Sequence, residues 1–192
     1  MNVKGLTLIG LGIVACAVPA VMALGGTSDR QGQATGLVLE VRQATEAFHD
    51  VNAALAAGYG SAGSCVSGPE VGAMGVHFPN GTLVNDGELD AAQPEILVYE
   101  QRHGRLQLLG VEYIVIAEPW DAKKVGPPVL DGQHFHYVGS PNRYGLPAFY
   151  ELHVWAWKNN PNGMFVDWNP TVSCEEYSAD SSASAASAHA GH

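Results

Sequence analysis

At 192 residues the chain is long enough for one domain with a real core. Only 15% of its residues are charged, while Gly reaches 23 and Pro 11, a balance that suits a turn-rich β domain better than a helical bundle. The formal net charge of −10, with 9 Lys and Arg in all and no basic run, disfavours nucleic acid or an anionic membrane surface as a partner.

The chain opens on Met1-Asn2-Val3-Lys4, then an apolar run from Gly5 to Val18, then small residues at Ala17-Val18-Pro19-Ala20 and Val21-Met22-Ala23. This is the pattern of an export signal cleaved after Ala20 or Ala23, and it predicts a secreted, periplasmic or cell-surface protein. Two alternatives compete. The run from Gly5 to Leu24 is long enough to stay as an anchor. Ile13-Val14-Ala15-Cys16 resembles a lipoprotein box, although the apolar run continues past Cys16. Beyond this segment no membrane contact is expected. Residues 1–23 are thus read as the signal, 24–36 as a linker, 37–177 as one globular domain and 178–192 as a disordered Ser/Ala-rich tail. Removing the signal removes Cys16. Cys65 and Cys174 remain, and an even pair in an exported domain predicts one disulfide. Closing so long a loop is worth about 4–5 kcal/mol in the chain-entropy model.

Val41, Ala44, Phe48, Val51 and Leu55 form one apolar stripe at helical spacing, so a helix is expected over Leu37–Ala57 with Gly58 as its stop. His49 falls on the polar side. Ala73–Phe78 reads as a strand ended by Pro79-Asn80-Gly81, and Asn80-Gly81-Thr82 matches a glycosylation sequon for a eukaryotic source. Glu95–Glu100 and Arg105–Glu118 read as a hairpin turned at His103-Gly104. The second of these strands is apolar on both faces and should be central in its sheet. Gln133–Val138 reads as one strand. Ala148–Lys158 reads as another, turned by Asn159–Gly163 into Met164–Trp168 as a second hairpin. The expected fold is α+β, with the N-terminal amphipathic helix packed on a curved antiparallel β-sheet or partial β-barrel.

Glu112 stands out because its strand neighbours are nearly all apolar, and a buried carboxylate needs a cation, a metal or a proton. A two-residue turn at His103-Gly104 would set Tyr99 opposite Leu108, Leu97 opposite Gly110 and Glu95 opposite Glu112. Gly110 would leave room there for a ligand or another backbone. His134 and His136, two apart in a strand, would share one face, a common metal-ligand pattern. His153 lies on the face of Phe149, Glu151, Trp155 and Trp157, and His77 sits near the end of a Gly-rich strand. A lone strand histidine is commonly a hydrogen-bonded structural residue. Several on neighbouring strands with buried carboxylates instead suggest a mononuclear site. Its ligands would be drawn from His77, Glu112, His153, His134 and His136, with Glu95 or Glu112 handling protons. The ion would be a divalent transition metal such as Zn, Cu, Fe or Mn. There is no Gly-x-Ser-x-Gly elbow, no Cys-x-x-Cys pair and no phosphate loop. The alternative is a non-catalytic extracytoplasmic module that binds a small molecule or a surface, its carboxylates paired with Arg or protonated.

Gly132-Gln133-His134-Phe135-His136 resembles the opening of the cupin metal motif, but Tyr137–Phe149 lacks the Glu that motif needs. A broader set of runs resembles an uncharacterised group of exported bacterial proteins. They are Ala56-Ala57-Gly58-Tyr59, Gly72-Ala73-Met74-Gly75-Val76-His77-Phe78, Pro94-Glu95-Ile96-Leu97-Val98-Tyr99-Glu100, Gly110-Val111-Glu112-Tyr113, Leu152-His153-Val154-Trp155, and Asn160-Pro161-Asn162-Gly163-Met164-Phe165 through Trp168-Asn169-Pro170 to Cys174. This resemblance implies export and a single domain, and no particular reaction. It sets His77, Glu95, Glu112 and His153 at motif centres and leaves His134-Phe135-His136 in a variable segment.

Overall fold

The computed structural model describes Met1 and residues 26–178, with side chains from residue 35 onward. The export signal, Cys16 and the tail beyond residue 178 lie outside the described residues. In chain order the elements are helix α1 (Gly26–Thr45), a 3-10 turn (Glu46–His49), helix α2 (Val51–Ala56), strands β1 (Cys65–Gly68) and β2 (Gly72–Pro79), and helix α3 (Gly81–Asp86). Strands β3 (Ile96–Arg102) and β4 (Arg105–Ile116), helix α4 (Ala117–Asp121), and strands β5 (Val129–Leu130), β6 (Gln133–His134), β7 (His136–Val138) and β8 (Phe149–Val154) follow.

Six strands make one antiparallel sheet in the order β1-β2-β3-β4-β8-β7, curled into a half-barrel. The strand that is apolar on both faces, β4, is flanked on both sides, as its sequence predicts. Strand alternation divides the sheet into two faces. Val76, Phe78, Leu97, Tyr99, Val111, Tyr113, Val115, Leu152 and Val154 form the main core, which Leu37 and Val41 join from α1. The opposite face carries two smaller apolar clusters, one around Val98 and Trp155 and one around Ile96, Ile114 and Phe149. The chain's buried histidines lie between them.

The helix expected over Leu37–Ala57 is interrupted. Thr45 turns its hydroxyl back onto the Val41 carbonyl (2.6 Å), and Asp50 adopts an extended backbone and caps α2 through the Asn52 N–H. Helical backbone also begins at Gly26, inside the stretch read as a linker.

The β3–β4 hairpin turns at His103-Gly104, both with positive φ, as a two-residue turn of this kind requires. Its register then slips. Tyr99 faces Leu108, but Val98 faces Gly110, so Leu109 is an extra residue in β4. Ile96, not Glu95, therefore lies opposite Glu112, which corrects the pairing expected from the turn alone. The bulge has a visible cause: the Leu109 carbonyl turns out of the ladder and accepts the N–H groups of both Trp157 and Lys158 (2.9 and 3.0 Å). Gly110 is required beside it. A Cβ there would lie 2.1 Å from the Val154 carbonyl oxygen, so it admits backbone rather than a ligand.

The second hairpin does not form. β8 ends at Val154, and residues 155–168 are irregular. The chain is held there by side chains: the Trp155 indole donates to the Val166 carbonyl (2.6 Å) and Asn160 to the Trp168 carbonyl (3.0 Å). Gln133–Val138 is likewise two strands. Phe135 is buried between them, so β6 pairs with β5 in a separate two-stranded sheet while β7 joins the edge of the main one. The Cys65–Cys174 disulfide is present, with the Cα atoms 5.7 Å apart and the cysteines 109 residues apart in sequence. It points to an oxidising, extracytoplasmic compartment. Among the described residues no helix is long and apolar enough to cross a membrane.

Candidate metal centre

Three strands each contribute one residue to a buried cluster. His77 comes from β2, Glu112 from β4 and His153 from β8, and His153 lies directly opposite Glu112 in the ladder. His77 Nε2 stands 3.2 Å from Glu112 Oε2, and His153 Nε2 stands 3.9 Å from the same oxygen. One donor atom from each residue can be chosen so that all three lie within 4.8 Å of one another. The site is buried: His77, Glu112 and His153 are 7%, 4% and 2% exposed. Neither nitrogen of either ring has a hydrogen-bond partner, so the contacts with Glu112 are close approaches and not aligned hydrogen bonds. Buried polar atoms are rarely left in this state, and four of them on two rings call for an explanation. The spacing supplies one. Ligands at about 2.0–2.1 Å from a tetrahedral ion lie roughly 3.3 Å from each other.

Two further acids border the cluster. Glu151 precedes His153 by two residues on the same face of β8, and Asp167 reaches in from the irregular segment that replaces the expected hairpin. Asp167 Oδ1 lies 3.6 Å from His153 Nδ1 and 3.4 Å from His136 Nδ1. Neither acid is among the ligands expected from the sequence. Glu151 could have been found from strand alternation. Asp167 carries no local signal, because its position depends on where β8 ends.

The acids and imidazoles set one another's charge. Burial pushes the Glu112 carboxyl up, but His153 and then His77 outweigh it and hold the group at about 2. Burial first, and the Glu112 charge second, push Glu151 up to about 8. Burial pulls His153 down, yet the Glu112 carboxylate and Asp167 raise it to about 9. Burial raises Asp167, but His153 more than offsets this and leaves it below its ordinary value.

The other predicted residues lie elsewhere. The Glu95 side chain accepts the Ile114 N–H (3.1 Å) and is outside the cluster; burial is the main reason it is pushed up to about 8. His134 and His136 do not act as a pair. His134 is exposed in the small sheet, whereas His136 is registered opposite Glu151 at the edge of the cluster.

A cavity of about 500 Å³ opens onto His77 and Glu112. Its walls include Val84, Ile96, Ile114, Leu146 and Phe149, with Arg143 and Tyr144 at one side. That volume is in the range that holds a small organic molecule. Asn142 shapes the overlying loop by accepting from the Tyr144 and Leu146 N–H groups, which sets the Tyr144 ring 6.5 Å from that of His77. Arg143 is an exposed side chain and stacks over Trp168 (5.6 Å). No family model, curated protein or solved structure matches the chain.

Proposed function

We propose that this is an exported metal-binding protein in which His77, Glu112 and His153 hold a divalent transition metal. In this reading a small organic molecule binds in the adjoining cavity. The observation that supports it most directly is the pair of buried, unpartnered imidazole nitrogens, His77 Nε2 and His153 Nε2, facing one buried carboxylate oxygen. Two imidazoles and a carboxylate suit Zn, Cu, Fe or Mn. Three protein ligands leave a further coordination position, and Glu112 and His77 also line the cavity. A bound ion would supply Lewis acidity and an acidified water. The chain's own part is to hold His153 between Glu112 and Asp167 and to exclude water with Ile96, Ile114 and Phe149. Residence outside the cytoplasm, by the N-terminal signal, and membership of the exported bacterial group are part of the same reading.

A second reading has its own support. Protons alone can offset most of the cluster's charge: Glu112 and Asp167 ionised against protonated His153 and a neutral Glu151 leave one net negative charge. The protein would then be a non-catalytic module that binds a ligand in the apolar cavity.

Metal analysis of untagged protein separates the two. The first reading expects at least one ion per chain, lost in His77→Ala, Glu112→Gln and His153→Ala. Metal below one per chain and indifferent to these substitutions would sink it.

A further inference from the structure

We propose that His153 bridges two metal ions, the second held in an outer position by His153 Nδ1, Asp167, Glu151 and His136. The proposal rests on the inner site just described and extends it. The two nitrogens of one buried ring face two separate groups of donors. Nε2 faces Glu112 Oε2 (3.9 Å), and Nδ1 faces Asp167 Oδ1 (3.6 Å), with no hydrogen bond at either. Glu151, His153 and Asp167 each offer a donor atom, all within 4.8 Å of one another. His136 adds Nδ1 at 3.4 Å from the same Asp167 oxygen. Glu151 Oε2 and Asp167 Oδ1 are buried and also lack a hydrogen-bond partner. Glu151, His153 and Asp167 make a three-donor set for Zn or Cu, which the half-exposed His136, already beside the same Asp167 oxygen, would complete by a side-chain rotation.

Charge is compatible with two ions. With Glu151 ionised as a ligand the cluster holds three carboxylates, and one divalent ion neutralises only two of them. Two divalent ions against three carboxylates and one imidazolate make a neutral site, which a largely buried cluster requires. Loading both positions strips His153 of its ring protons and Glu151 of its carboxyl proton, so metal uptake releases protons.

A lone carboxylate next to a metal-ligating histidine commonly serves to orient the ring. That role would use Asp167 alone. It does not account for the orphaned Glu151 oxygen, or for His136 converging on the same Asp167 oxygen. The two positions also differ in access. The side chains of His136 and Asp167 are 52% and 24% exposed, against 9% and 2% for His77 and His153. The outer ion should exchange with solvent far faster than the inner one.

The test uses the untagged full chain with His189 and His192 replaced by alanine, so that the tail adds no ion. The protein is stripped with chelator, loaded with Zn²⁺ or Cu²⁺ alone, and its metal counted after gel filtration. Two ions per chain are expected, falling to one in His136→Ala and in Asp167→Asn, with outer-site affinity down by at least tenfold. His136 is half exposed, so its replacement should leave the fold intact. In the Cu²⁺ form the two spins couple through the imidazolate, so the paramagnetic resonance signal should fall below the copper content. It should recover in His136→Ala, a change that a purely orienting role for Asp167 does not produce. One ion per chain in the parent, unchanged in His136→Ala, overturns the bridge and leaves the inner site standing. No bound ion overturns both.

Discussion

Glu95, just before β3, and Glu112 on β4 are both buried, and they are held in opposite charge states. Glu112 has two imidazoles within 4 Å and stays ionised; Glu95 has only backbone N–H groups, that of Ile114 among them, and keeps its proton up to about 8. For Glu95 the folded value lies above the ordinary 4.5, so between the two the folded chain binds a proton that the unfolded chain lacks. Its contribution to stability is therefore fully present below about 4.5 and declines as pH rises toward about 8. Glu95→Gln keeps an acceptor for the Ile114 N–H and has no charge to bury. It should stabilise the protein at pH near 8 by an amount of the order of a few kcal/mol, at about 1.36 kcal/mol per unit, and change little near pH 5. Urea midpoints of parent and variant across that range check this; parallel curves would contradict it. His77, Glu112 and His153 were legible in the sequence as polar residues in apolar strands. Asp167 was not, because nothing near it in sequence marks it as facing a histidine.

The strands were legible from alternation, and the hairpin from His103-Gly104. The bulge was not. Leu109 is an ordinary apolar residue, and it becomes an extra one only because Trp157 and Lys158 compete for its carbonyl. That single slip moves Glu95 out of line with Glu112 and brings Ile96 opposite it. Gly110→Ala tests the same junction, since its methyl would meet the Val154 carbonyl at 2.1 Å and force β4 and β8 apart. It should cost about 1–3 kcal/mol or more by urea unfolding and weaken metal uptake, because Glu112 and His153 face each other two residues away along that pair of strands. Equal stability and unchanged uptake would show that the close approach is not needed.

Across the molecule the C-terminal segment is fastened to the sheet in two ways. The disulfide ties Cys174 to β1, and the fully buried Glu100 accepts the Ser173 N–H (2.9 Å) while pairing with Arg102 and Lys158. Replacing Cys65 and Cys174 by serine should cost about 2–5 kcal/mol, read as a lower urea midpoint with the metal content of the surviving folded protein retained. Loss of metal at full foldedness would instead mean that the bridge helps shape the site.

The one disulfide, the central place of β4 and the candidacy of His77, Glu112 and His153 follow from the order of residues alone. Each depends on local pattern: an even pair of cysteines, an unbroken apolar strand, a charge set among apolar neighbours. The assembly of the cluster does not. Whether His134 and His136 act together depends on Phe135 turning inward to divide one predicted strand between two sheets. Whether Asp167 meets His153 depends on β8 stopping at Val154, where the bulged Leu109 carbonyl captures the N–H groups that would have continued a ladder. Hydrogen-bond competition between segments far apart in the chain made those choices, and no local pattern records its outcome.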